Sequence, residues 1–73
     1  MAHPGPCAEQ QRLIDCVQSH LVRIIDLTHH LQEAVAARNE NLVRDIDQQI
    51  EEQIGGKERA LGALRQHQKD HGC

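Results

Sequence analysis

The sequence predicts an all-α fold: an antiparallel two-helix hairpin of coiled-coil type that pairs into a four-helix bundle. Three observations carry this expectation. Ile14, Val17, Leu21, Ile24, Thr28, Leu31 and Val35 follow one another at alternating three- and four-residue steps, the a/d pattern of consecutive heptads, with Thr28 the one polar member. A second apolar face, made by Leu42, Val43, Ile46, Ile50, Ile54, Leu61 and Leu64, begins just after the polar stretch Asn39-Glu40-Asn41. Finally, the chain has 73 residues and no Phe, Tyr or Trp, so its core is aliphatic and small. A lone hairpin of this size falls near the limit at which burial offsets the entropy of ordering the chain.

Residues 1–6 contain both prolines and read as a flexible arm. Pro6 suits a first helical turn, where its missing N–H has no partner to lose, so the first helix is expected over about 7–37. Glu9 then sits in the first turn, where the helix dipole favours an acid. Leu13, Leu27 and Ala34 fall on the g line and Ile25 at e, which widens the stripe beyond a two-stranded seam and suits a bundle. Asn39 and Asn41 tolerate left-handed and capping geometry and end the helix, and either is a cap for the second helix, expected over about 41–71. A connection this short makes the helices antiparallel neighbours.

Gly55-Gly56 interrupts the second apolar face, and two interior glycines cost about 2 kcal/mol relative to alanine. The apolar phase resumes at Leu61, so a continuous, bent helix is the first reading. The alternative is a three-helix bundle broken at Gly55-Gly56. The helical hairpin therefore covers 7–71, and Gly72-Cys73 forms the C-terminal end, with Gly72 a natural stop.

The net charge of −3 is mild and evenly spread, with neither a basic face for phosphates nor aromatics for base stacking, so nucleic acid is not an expected partner. No run approaches the ~20 apolar residues that span a bilayer, and the first residues lack the basic-then-apolar pattern of a leader. A cytoplasmic protein without membrane contact is expected. In that compartment an odd count of three cysteines favours free thiols or metal ligands over a disulfide framework.

Pairing the helices so that Cys7 lies beside His71 gathers His3, Cys7, His67, His71 and Cys73 at the open end. His67 and His71 have the i, i+4 spacing at which two imidazoles share an ion, and Cys7 and Cys73 would complete a tetrahedral zinc site. A Cys7–Cys73 disulfide is the other chemistry the same residues allow. The plain reading, that the histidines serve the negative helix end and no cofactor is held, stands ahead of both. Cys16 and His20 are also spaced i, i+4, opposite about Leu61 and Glu58. No orienting acid other than Glu58, and no oxyanion pocket, accompanies them, so Cys16 is expected to be a half-buried small residue and the chain not to be an enzyme. His29 and His30 are expected to face the acidic stretch around Asp47 and Glu51 as solvated ion pairs.

The ending Leu64-Arg65-Gln66-His67 through His71-Gly72-Cys73, with the early Cys7 and the hairpin pattern between, resembles a group of short, uncharacterised bacterial helical-hairpin proteins that finish in L-x-x-H-x-x-x-H-G-C. The resemblance implies a two-helix hairpin and no activity. The function expected from the residues is a non-enzymatic interaction or scaffold protein, a homo-oligomer or the binder of a partner helix. Its interface comprises Ile14, Val17, Leu21, Ile24, Leu31 and Val35 with Ile46, Ile50, Ile54, Leu61 and Leu64. The alternative is a small metal-binding or thiol-redox module using Cys7, His67, His71 and Cys73.

Overall fold

A computed structural model describes residues 6–71, with side chains from 8 to 70. Two α-helices account for nearly all of it, α1 (Pro6–Ala36) and α2 (Glu40–His71), folded against each other as a hairpin. Glu9 lies in the first turn of α1 and Glu40 in the first turn of α2, each an acid at the positive end of its helix.

The connection is three residues long, and its hydrogen bonds explain its shape. Asn39 N–H donates to Ala34 O and Arg38 N–H to Val35 O, both at 3.0 Å, the paired bonds of a Schellman ending. That ending requires a left-handed residue, and Arg38 supplies it with φ of 55°. Asn39 then turns directly into a cap: its Oδ1 accepts from Leu42 N–H at 3.2 Å and its carbonyl from Val43 N–H at 3.0 Å. The asparagines are the residues the sequence offers for left-handed geometry, yet the turn puts an arginine there and uses Asn39 for capping. The centre of the hairpin consequently falls at about Arg38, a residue before the centre at Asn39 that pairing Cys7 with His71 and His20 with Glu58 implies.

That displacement resets the pairing. His20 lies opposite Gln53 and Gly56, where the sequence reading places Glu58. The stripe that α1 turns toward α2 is Leu13, Val17, His20, Ile24, Leu27, Leu31 and Ala34, every one buried or half-buried. On α2 the matching stripe is Val43, Ile46, Ile50, Gln53, Lys57, Ala60, Leu64 and His67. Both run at alternating three- and four-residue steps, so the seam is a coiled coil in its periodicity. Its best-covered part, Leu27, Ala34 and Ile46 with Leu31, Val43 and Ile50 around them, sits in the half nearest the turn.

α2 is unbroken through Gly55-Gly56, which corrects the three-helix alternative. Packing keeps it whole: Gly56 is buried against α1 and Ala60 is buried one turn later, so breaking the helix there would uncover the seam. The product is long and thin, 56 × 21 × 12 Å, with a radius of gyration of 16.6 Å where a compact chain of this length has about 11 Å.

Arg38 bears the strain of the left-handed region, which glycine does not. Arg38→Gly is therefore expected to stabilise the protein by about 0.5–1 kcal/mol and raise Tm by several degrees, whereas Asn39→Ala loses the cap and about 1 kcal/mol. Thermal unfolding followed by circular dichroism tests both, and a fall in Tm for Arg38→Gly would show that the turn is not the Schellman ending described.

Candidate interaction surface

The heptad line read as position a lies beside the seam. Leu21 is 43% exposed, Ile54 41%, Val35 57% and, on the e line, Ile25 59%. At 3.6 residues per turn, Ile14, Leu21, Ile25, Thr28 and Val35 fall along one flank of α1, about a quarter turn from the stripe that meets α2. Val43, Ile50, Ile54 and Leu61 fall along a flank of α2 by the same phase. Two grooves show that these flanks belong to one face of the hairpin. Val35 and Val43 line the groove on that side, with Arg38, Glu40, Arg44 and Asp47. Arg23, His30, Glu33, Leu42 and Gln49 line the groove on the other.

The two faces differ in chemistry. The first is apolar along most of its length, and the Thr28 hydroxyl on it is engaged within its own helix, donating to Ile24 O at 2.7 Å. The second carries exposed Arg12, Cys16, Arg23, His30, Glu52 and Arg59, and Leu42, 43% exposed, near the turn. Val22 stands apart on the outer side of α1, turned away from α2 and 66% exposed. Ion pairs are local, Arg12 with Glu9 and Arg23 with Asp26, three residues apart on a solvated helix, and such pairs contribute little to stability.

Of the interface residues named from the sequence, Ile46 is buried in the seam, and Val17, Ile24, Leu31, Ile50 and Leu64 are half-buried along it. Ile14 and Leu61 are half-buried at its edge, and Leu21, Val35 and Ile54 are open to solvent on the apolar face. Sequence reasoning placed Leu13, His20, Leu27 and Ala34 off the main stripe, although these form the inner line of the hairpin. The sign was available in part: two members of that line, His20 and Ala34, fit only where backbones approach closely or a polar partner waits.

The partner that waits for His20 is on α2. Its Nδ1–H donates to Gln53 Oε1 at 2.8 Å; a carbonyl oxygen only accepts, so the proton is on Nδ1. The ring lies flat against Gly56, where an added Cβ would come within 2.5 Å of Cε1 and 2.9 Å of Nε2. With its ring held in the seam, His20 does not serve as a base for Cys16, which is exposed rather than half-buried. His30 approaches Asp26 on its own helix, 3.8 Å away, instead of the acids of α2. Of the proposed zinc or disulfide residues, Cys73 and the side chains of Cys7 and His71 lie outside the described residues, and His67 is buried in the seam. Among the described residues no group of three His, Cys, Asp or Glu could hold a metal, and no helix is long and apolar enough to cross a membrane. No protein-family model, curated protein or solved structure matches the chain.

Alanine normally gains up to about 1 kcal/mol over glycine inside a helix. Gly62→Ala, with open space around the new methyl, is expected to show that gain. Gly56→Ala is expected to lower stability by about 1–2 kcal/mol, because His20 must swing out and forfeit the Gln53 bond. In a His20→Ala background the same Gly56→Ala change becomes neutral or stabilising. Urea titration of the four-member cycle measures this coupling, and simple additivity would refute it.

Proposed function

We propose that this chain is a non-enzymatic helical interaction module that docks protein through the apolar face flanking its seam. One observation carries the reading: Leu21, Ile25, Val35 and Ile54 stand exposed along one side of a hairpin whose opposite side is mostly polar, with Leu42 exposed near the turn. Single exposed aliphatics are ordinary on protein surfaces, but three down one flank of α1 with Ile54 on the adjoining flank of α2 are the mark of an interface.

Two quantities support it. The hairpin is a single layer 12 Å thick, and a stable domain is built from at least two layers closed around a core. Its accessible surface is 5561 Å², where a compact monomer of 8.2 kDa has about 4,500 Å². The excess reflects the elongated, one-layer shape, which leaves both faces of the seam open.

A photo-crosslinking residue placed at Ile25 in living cells is expected to yield a covalent protein adduct, and the same residue at Val22 none. An Ile25 probe that forms no adduct, or a Val22 probe that forms the stronger one, would sink this reading.

A further inference from the structure

Resting on that docking surface, we infer that its occupant is a second copy of this chain, set with both connecting turns at the same end so that α1 of each copy packs on α2 of the other. The first ground is the phase of the helices. α1 buries its g and d lines against α2 and exposes its a and e lines, so the a/d stripe points between the two directions, toward the axis of a four-helix bundle. A stripe so placed is complementary to another hairpin, which repeats the same pair of flanks. The second ground is size: a face of 56 by 21 Å has the order of the ~800 Å² per partner that a stable interface covers.

The choice of arrangement follows from charge and level. Beside the apolar line, the rim of α2 carries exposed Asp47, Glu51 and Glu58 between Arg44 and Arg65. The rim of α1, the line that carries Ile25, is formally uncharged, with exposed Gln11, Gln18 and Gln32. Turns at opposite ends would lay α2 on α2, bringing Glu51 near Glu58 of the second copy and Arg44 near Arg65, like charges together in the central pairs, with only the end pair Glu40 and Lys69 of opposite sign. Turns at the same end lay each acidic rim over the uncharged rim of the other copy. The same arrangement keeps levels matched. Leu21 with Ile54 meets Leu21 with Ile54, and the one polar level, Thr28 with Asp47, meets itself instead of an apolar level.

The test uses the full chain with Cys7→Ser, Cys16→Ser and Cys73→Ser, compared with wild type by sedimentation equilibrium, and a nitroxide on Asn41→Cys at the start of α2. The expected result is a dimer whose two spins are on the order of 20 Å apart, about two helix widths. A dimer with spins about 45 Å or more apart, the length of a thirty-residue helix, would overturn the arrangement while leaving the docking surface in place. A monomer or a larger assembly would overturn the second copy as occupant; the Ile25 crosslink then decides separately whether the face docks another protein. Leu21→Asp with Ile54→Asp is expected to weaken dimerisation at least about 100-fold, since each buries a charge where an aliphatic was, and Val22→Asp to leave it unchanged. An unchanged dimer in the double variant would overturn the proposal.

Discussion

The turn at Arg38-Asn39 governs the rest of the molecule, because in an antiparallel pair the centre of the turn decides which residue faces which. The Schellman bonds to Ala34 and Val35 fix where α1 stops, and the Asn39 side chain fixes where α2 starts, with no spare residue between. Moved by one residue, the turn would rotate the stripe of α2 by 100° relative to α1. Ile46 would leave the seam, and His20 would meet a position other than Gly56. An arginine held at φ 55° is a local cost, tolerated because the alternative registers give up the aliphatic cluster of Leu27, Ala34 and Ile46.

Absence of aromatic residues shapes how that seam packs. Without aromatic side chains the seam is covered by aliphatics, Leu27 and Ile46, together with the small residues Ala34, Gly56 and Ala60. The best-covered aliphatics gather toward the turn; toward the open end the seam takes in Lys57 and His67. A hairpin covered this unevenly has its least-covered part toward the open end, the end farthest from the turn.

Much of this was legible in the sequence, and the parts that were not have physical causes. Helix content, the hairpin and the d line of Val17, Ile24 and Leu31 follow from periodicity, which is a property of one chain segment at a time. Whether the a line or the g line joins the d line against α2 depends on the angle between two helices, and no single-segment pattern contains it. Leu21 and Leu27 are equally apolar; only the partner helix distinguishes them. Asn-Glu-Asn advertises the turn, but any residue can be forced into left-handed geometry when packing on both sides agrees, so Arg38 could not be picked out. The glycine pair reads as a weakness in a helix when seen alone, and as a seat for an imidazole once His20 is across from it. The candidate site divides the same way: its residues were named, while their separation into a seam and an open face required the second helix.

Gly56 beneath His20 also bears on how this sequence can change over generations. A methyl at position 56 is costly while the ring is opposite, and once the ring has gone the His20 contacts no longer favour the glycine or the Gln53 carbonyl. Substitution at the three positions is therefore ordered, with position 20 the first to move. Related chains should sort into two groups, one keeping histidine, glutamine and glycine together and one that has replaced all three with aliphatics and alanine, with few mixtures between.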